Sequence, residues 1–435
     1  SEGYEAKAGI GGTKIMHSVA FQAGVSWRDQ VFVDVTGRND WSSALLYSDG
    51  HGTFSYFYPS VNASWLISNS FKLPKVISFW KVRGSYAQVG NDTDPYSINS
   101  AYSLENYTNN YGKPFSTVLP STTYSQNLKP ERKKSWEIGT DIRFFNNRIG
   151  LDVTYYRENT TDQIMTVAIP NASGYNNALI NAGNIQNSGF EVALNTTPIQ
   201  NKDWQWDLNF TWSKNSSKIV ELSDLCADYI TLQGAANYGN YRIASVAKVG
   251  GSYGMLMSDS KRLIDETSGL PVLDTKYYNG YLTPNYKRSG KVEKVGNMVP
   301  DFLGGINTNL RWKNFTLSAS FDMRFGGKVA SYNSLYGTAY GYTKTSLKGR
   351  GTNNGGIEFT SKWDDVKYDD GVVPEGIILA GTKIRTPDGG TYTVGTGAHA
   401  SGETYQELIN KGKADYVHAG AWHFFNNQWG TFTLN

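Results

Sequence analysis

The sequence is poor in the residues from which redox and metal sites are built. Its 435 residues include a single cysteine, Cys226, which excludes an internal disulfide framework and a cysteine-rich metal site. The histidines lack metal-ligand spacing, and we expect structural roles for His418 and His423. No serine lies in a nucleophile elbow, and Cys226 has no identifiable histidine partner. The sequence therefore predicts no metal, no cofactor and no catalytic residue.

Long apolar runs and strong charge are also missing. No window approaches the roughly 18 consecutive apolar residues of a transmembrane helix. Charged residues are 18% of the chain, and a net charge of +3 is too small to indicate a nucleic-acid partner. The start at Ser1-Glu-Gly-Tyr4 shows no basic segment followed by an apolar one, so no signal peptide is visible. For an exported protein, this predicts a processed N-terminus or a fragment.

Alternation between apolar and polar residues is the strongest pattern in the chain. In the segment Lys202-Asp-Trp-Gln-Trp-Asp-Leu-Asn-Phe-Thr-Trp-Ser213, every second residue is large and apolar. Because successive side chains of a strand point to opposite faces, one face carries Trp206, Leu208 and Phe210, and the other Asp207 and Asn209. A soluble sheet would bury the apolar face, whereas a membrane barrel turns it toward lipid and its polar face toward a wet lumen.

The same alternation recurs along the chain in about eleven strand-like runs. It places Asp141 and Arg143 on a lumen-lining face and Leu317 and Phe321 on a lipid-facing one. Short turns near residues 28, 146, 198–200 and 313 fall on one side, and a last strand is expected from near Trp422 to Asn435. Every long loop then falls on the other side, as in outer-membrane barrels. We expect these loops at about 89–134, 159–188, 214–300 and 326–420.

Seven segments, in order, resemble the TonB-dependent outer-membrane transporters of the SusC/RagA type from Bacteroidota. They include Gly37-Arg-Asn-Asp-Trp-Ser42 and Lys81-Val-Arg-Gly-Ser-Tyr-Ala-Gln-Val-Gly-Asn91. The others are Tyr56–Trp65, Leu128–Gly139, Phe145–Ile149, Asn184–Glu191 and Pro300–Gly305. The resemblance extends from about Val19 to Phe325. It predicts an all-β fold, a transmembrane antiparallel barrel that forms part of a 22-stranded wall.

The resemblance also implies a function and partners. Members of this family import glycans or peptides, draw energy through TonB by way of an N-terminal plug domain, and carry a SusD/RagB-like surface lipoprotein as a lid. The resemblance does not decide whether the transporter complex forms a homodimer. No plug domain precedes the first strand here, and the last barrel strands are not recognised. We therefore interpret residues 1–435 as a partial outer-membrane barrel domain, an internal fragment of a longer transporter.

Aromatic residues in the expected loops are the candidate substrate-binding positions. They are Tyr238, Tyr241, Tyr336, Tyr340, Tyr342 and Trp363. Sugar rings and peptide side chains both present faces that such rings can cover, although the rings could instead pack the loops together or touch a lid protein. The carboxylate pairs Asp364-Asp365 and Asp369-Asp370 are the most enzyme-like feature. Because their spacing is irregular, a solvated acidic loop is the preferred interpretation over glycoside hydrolysis or calcium binding.

The sequence thus predicts nutrient import across the bacterial outer membrane, without enzymatic activity. Two alternatives stay open at this point. One is a soluble all-β carbohydrate-active enzyme or lectin, which needs a catalytic carboxylate pair or a closed apolar core. The other is a passive porin-like barrel, which needs no energy-coupling partner.

Overall fold

An antiparallel sheet of ten strands dominates the structure, a computed structural model. The structure describes residues 13–95, 97, 98, 103–106, 115–118, 120–169, 171–223, 229–238, 241–426 and 430–433. We number the strands of this sheet in chain order, which is also their spatial order. They are β1 (Met16–Trp27), β2 (Val31–Ser42), β3 (Ser55–Leu66), β4 (Ile77–Asn91), β5 (Glu131–Phe144), β6 (Ile149–Thr161), β7 (Asn184–Gln200), β8 (Trp204–Glu221), β9 (Phe302–Trp312) and β10 (Phe315–Phe325).

Short connections lie on one side of this sheet. The turns after β1 and β5 use left-handed backbone at Arg28 and Asp29, and at Asn146 and Asn147, with φ between 51° and 67°. Asparagine tolerates this conformation, which explains how so few residues reverse the chain. The short turns predicted near residues 28, 146 and 313 are confirmed by the strand ends. The turn predicted at Pro198 lies slightly later, because Pro198 sits inside β7 at a register shift, where a proline is tolerated.

All long connections lie on the opposite side and contain short elements of their own. Their helices are α2 (Tyr332–Ala339), α3 (Tyr405–Asn410) and α4 (Ala419–Asn426), whereas α1 (Ile67–Ser70) lies on the short-turn side; the short 3₁₀ turns are Ser43–Leu45, Asn171–Ser173, Lys344–Leu347 and Thr352–Asn354. Their strands before β9 are Ser103–Asn106, Phe115–Val118, Thr122–Tyr124, Ile164–Ala168, Asn177–Asn181, Tyr229–Tyr238, Tyr241–Lys248, Met255–Ser258, Leu273–Asp274, Tyr277–Tyr278, Tyr281–Leu282, Asn285–Tyr286 and Glu293–Asn297. Those after β10 are Lys328–Ser331, Ile357–Thr360, Lys367–Val372, Ile377–Leu379, Lys383–Arg385, Thr391–Thr393, Gly402–Thr404, Val417–His418 and Gly430–Thr433.

The buried cores of the described residues lie in these long connections and at the strand ends beside them, such as Ile185 of β7 and Ile219 of β8. The largest cluster includes Leu273, Ile378, Ile384, Tyr405 and Leu408, each at most 3% exposed. It joins the connection before β9 to the segment after β10, and we call it the loop core. A second cluster, around Leu45 and Leu128, joins the connections after β2 and β4. The apolar residues of the ten-stranded sheet therefore need another environment.

The segment after β10 is more ordered than its polar composition indicates. Helix α3 begins with a capping box, in which Thr404 and Glu407 satisfy each other's backbone amides. Its buried residues then enter the loop core. The expectation of a final strand starting near Trp422 is wrong, because Trp422 lies in α4 and packs edge-on against Tyr286 at 5.2 Å.

The two ends of this segment meet. The strand Lys328–Ser331, directly after β10, pairs antiparallel with Gly430–Thr433. The two ends of a segment of roughly a hundred residues are therefore hydrogen-bonded to each other, next to the end of β10.

Candidate functional site

The register of the ten strands separates two faces. Residues directly opposite each other in an antiparallel pair project to the same face. Leu208 of β8 lies opposite Thr308, which lies opposite Ala319, whereas Asn209 lies opposite Asn195 and Asn307. One face therefore collects apolar residues and the other polar ones, across neighbouring strands.

The apolar face is open rather than packed. Leu317 and Phe321 are 67% and 57% exposed, and Trp206, Leu208 and Phe210 are half-buried. Two polar groups on this face satisfy each other, because the Trp206 Nε1–H donates to Thr308 Oγ1 at 2.8 Å. Such pairing is needed where water is absent. This arrangement differs from the sealed core that a soluble β protein requires.

Two clusters of aromatic rings border the apolar face of the last strands. Near the short turns, the Trp312 ring lies 5.6 Å from Trp204 and 5.9 Å from Phe315. At the other ends of these strands, the Phe302 ring lies 4.6 Å from Phe325. The ten steps from Phe302 to Trp312 span about 34 Å of strand, or about 24 Å of depth at a tilt of about 45°. An outer-membrane barrel carries an apolar band of about 25 Å between aromatic girdles.

The polar face carries hydrogen bonds and ion pairs on several strands. Asp207 accepts from Thr197 Oγ1 and from Gln205 Nε2, both at 2.9 Å. Arg143 and Asp141 form an ion pair at 3.0 Å. The sequence-predicted lumen-lining residues are thus on one face and share it with donors and acceptors from neighbouring strands.

An arginine clamp crosses this face. The Arg83 guanidinium of β4 passes over β5 and donates two hydrogen bonds, both 2.8 Å long, to the Asp152 carboxylate of β6. Gly139 of β5 makes room, because a Cβ there would lie 2.8 Å from Arg83 Cζ. Sequence reasoning missed this clamp. The one sequence feature that points to it is a glycine within a strand. Such a glycine indicates that another group approaches the backbone closely, but does not identify that group.

A shallow cavity of about 420 Å³ adjoins the clamp on the polar face. Its lining includes Asp152, Glu191 and Asp322, with small residues of β7 to β9 between them. Polar groups of this kind can exchange hydrogen bonds with a hydrated solute without holding it tightly.

The loop aromatics divide into separate groups. Tyr336 and Tyr340 stack at 6.3 Å, and Tyr340 meets Phe424 edge-on at 6.0 Å. Tyr342 is 87% exposed. Trp363 packs instead against the loop core and meets Tyr281 edge-on at 6.1 Å. Tyr238 and Tyr241 end two paired strands, and their side chains lie outside what the structure describes.

The carboxylates beside Trp363 are held by phenols. Asp364 Oδ2 accepts from the hydroxyls of Tyr281 and Tyr368, each at 2.8 Å. The hydrogen bond from Tyr281 is the main cause that lowers the pKa of Asp364 to about 2. Asp370 pairs with the Nδ1 of His418 at 2.9 Å. Because Asp364 is ionised at neutral pH, it has no proton to give to a leaving group, which general acid catalysis in glycoside hydrolysis requires.

No group of three or more His, Cys, Asp or Glu side chains that could hold a metal ion occurs among the described residues. Within the same part of the chain, no helix is both long and apolar enough to cross a membrane.

Comparison with known proteins gives the family. The family model described as "TonB dependent receptor-like, beta-barrel" matches residues 12–259, more than half of the chain. The chain belongs to this family. It is an all-β protein of the outer-membrane barrel fold.

Individual relatives agree with this placement. The chain is 26% identical over 343 residues to TonB-dependent receptor P3 of Formosa agariphila, a match covering 73% of the chain and 34% of that protein. It is 28% identical over 299 residues to TonB-dependent receptor SusC of Bacteroides thetaiotaomicron, covering 66% and 28% respectively. The solved RagAB peptide transporter superposes with a TM-score of 0.61 at 21% identity, covering 75% of this chain and 35% of that one. The chain spans about a third of the length of the curated relatives it matches.

Proposed function

We propose that this chain forms part of the barrel wall and mouth of an importer that carries oligomeric nutrients, glycan or peptide, across the outer membrane. The observation that carries the proposal is the separation of faces across the sheet. An open apolar face is bordered by aromatic clusters about 24 Å apart, and the opposite face is polar throughout neighbouring strands.

The roles of the two faces follow from their chemistry. Trp206, Leu208 and Leu317 face acyl chains, where burial of apolar side chains is favourable. The aqueous path is lined by Asp207, Asn209 and the Asp141–Arg143 pair. Their polar groups replace part of the hydration shell of a passing solute. Transport through such a path needs no covalent step.

Capture takes place in the long loops. The rings of Tyr340, Tyr342 and Trp363 offer faces on which a sugar ring or a peptide side chain can stack. A SusD/RagB-like lipoprotein covers these loops, and TonB supplies energy through a plug domain.

Uptake of a labelled oligosaccharide or peptide mixture by cells tests the proposal. We expect uptake to stop when the gene is deleted, when TonB is removed, or when the proton-motive force is collapsed. Uptake that survives loss of TonB would indicate a passive barrel, and recovery of the protein as a soluble monomer would contradict the membrane placement.

A variant pair tests the capture step. Tyr340→Ala with Trp363→Ala should weaken ligand binding while the barrel still inserts into the outer membrane. Because Trp363 also packs on the loop core, Trp363→Leu serves as the control that keeps apolar packing without a ring. Unchanged uptake by correctly inserted double variants would contradict a role of these rings in capture.

A further inference from the structure

A cation held between two aromatic rings stands out in the long loops. The guanidinium carbon of Arg385 lies 4.9 Å from the ring centre of Tyr277 and 5.7 Å from that of Trp363. The attraction of a cation to ring faces is one reason for this arrangement. We call Arg385, Tyr277 and Trp363 the arginine platform.

The platform is built on a fixed support. Arg385 ends the strand Lys383–Arg385, whose partner is Thr391–Thr393, and the intervening Ile384 is buried in the loop core. The backbone N–H of Arg385 donates to the Tyr277 hydroxyl at 2.6 Å, and its Nη2 donates to the carbonyl of Gly280. Both the backbone and the side chain of Arg385 are thus oriented before any ligand arrives.

Arg385 has no ion-pair partner within 4 Å among the described residues, and its side chain is exposed. The Asp364 carboxylate accepts hydrogen bonds from the hydroxyls of Tyr281 and Tyr368. In the part of the chain that the structure describes, one N–H of the guanidinium has a protein acceptor, the carbonyl of Gly280, so its planar edge retains donors for an outside anion. Guanidinium edges bind carboxylate and sulfate groups through two parallel hydrogen bonds.

An aromatic ring with accessible surface lies next to this cation. Tyr277 is 41% exposed. A sugar ring can stack on such a surface while a charged substituent of the same or the next ring reaches Arg385. This combination favours an anionic oligosaccharide over a peptide, whose flexible charged side chains do not need a flat surface beside the cation.

We propose that the arginine platform is a binding subsite for the carboxylate or sulfate groups of an anionic oligosaccharide. This inference rests on the proposed import function for its physiological role and narrows the cargo to a chemical class.

Binding measurements on the protein purified in detergent test the subsite. The probes are an oligogalacturonate, an O-sulfated galacto-oligosaccharide, a neutral galacto-oligosaccharide of equal length, and an oligoglutamate peptide. Wild-type protein should bind one or both anionic saccharides more tightly than the neutral one, and the difference should shrink at high salt. Arg385→Gln should weaken that binding by about tenfold or more, since hydrogen bonds to charged groups are the strong ones.

Two further variants separate recognition from folding. Lys383→Gln removes an exposed cation from the same strand that contacts no ring in the described structure, and should leave affinity within about twofold. Arg385→Lys keeps the charge but lacks the planar fork, so it should bind anionic saccharides more weakly than wild type. If thermal unfolding shows that Arg385→Gln unfolds the loops, the affinities of Arg385→Lys and Lys383→Gln for the anionic saccharides are compared instead. Weaker binding by Arg385→Lys alone then supports the subsite.

Equal affinity of wild type and the Arg385 variants for both anionic saccharides would overturn the inference. So would binding of the oligoglutamate peptide that depends on Arg385 while neither saccharide binds. TonB-dependent growth on a neutral oligosaccharide tells the two proposals apart. If that growth persists in the variants whose anion affinity is unchanged, the import function stands and the arginine platform fails.

Discussion

A lysine at Leu208 should destabilise the protein far more than a lysine at the next residue. Leu208 lies four residues from Trp204 and four from Trp212 on the apolar face of β8. Each interval is about 13 Å of strand, or about 10 Å of depth at a tilt of about 45°, which places Leu208 near the bilayer midplane. A lysine on the lipid face there costs about 2–4 kcal/mol, a factor of about 30 to 1,000 in the folding equilibrium.

Asn209→Lys is the matched control. It introduces the same side chain at the same depth, but on the face that carries Asn195 and Asn307. Water on that side keeps the ammonium hydrated, so we expect a change below about 1 kcal/mol. The difference between neighbours therefore isolates the environment of the face from the change in strand propensity.

Reversible unfolding in urea from lipid vesicles measures both free energies. The full-length protein is followed by tryptophan fluorescence, with the shift on heating in gel electrophoresis as a check on barrel assembly. Similar losses for both variants, or a larger loss for Asn209→Lys, would refute the assignment of the faces. The apolar face would then pack against protein.

Three other predictions follow from particular contacts. Gly139→Ala should displace Arg83 from Asp152 and lower the free energy of unfolding by about 1 kcal/mol, since the clamp is partly exposed. The control is Gly150→Ala, where a Cβ meets only ordinary contacts and which should be neutral in the same urea titration. Equal effects of the two variants would contradict the clamp. His51 presents both ring nitrogens to acceptors, the Gln126 carbonyl at 2.9 Å and the Asp49 carboxylate, and these contacts, led by the Gln126 carbonyl, raise its pKa. The protonated ring therefore links the connection after β2 to the connection after β4, fully below pH about 6.5. This stabilisation is lost as pH rises through the higher pKa of the folded state. Amide exchange of residues 125–128, corrected for intrinsic rates, should therefore speed up with pH in wild type but not in His51→Gln. Leu408→Ala, at a fully buried site of the loop core, should cost about 2–5 kcal/mol of local stability. Protease should then cleave within residues 326–426 while the barrel still inserts. Resistance of this segment to cleavage would contradict the stabilising role of the loop core.

The sheet was predictable because its signal is local. A period of two in Trp204 to Trp212 fixes which side chains share a face, and the register of the strands extends the same alternation to Ile306 and Phe321. Turn positions followed from Asn146 and Asn147 for an equally local reason, the tolerance of asparagine for left-handed backbone.

The loops were not predictable in this way, because their order comes from contacts between distant segments. Leu273 and Ile384 meet in the loop core although more than a hundred residues separate them. Neither belongs to a periodic run that a single sequence would reveal. Trp422 illustrates the same limit: apolar residues near a glycine fit a short helix or a strand equally well, and packing on Tyr286 decides.

The clamp and the arginine platform depend on register and on loop packing. Gly139 is informative only once its position opposite Arg83 is known. Arg385 becomes a candidate only when the turn that carries Tyr277 is seen beside it. A search for catalytic or metal motifs passes over both, since they are single cations defined by their neighbours.

The pairing of Lys328–Ser331 with Gly430–Thr433 has a consequence for loop exchange. Because entry and exit adjoin, exchange of the hundred residues between them leaves the flanking strand ends in place. A viable graft must also carry the residues before β9 on which they pack, such as Leu273. Moving both segments together is therefore a practical way to transplant this loop assembly onto a related barrel.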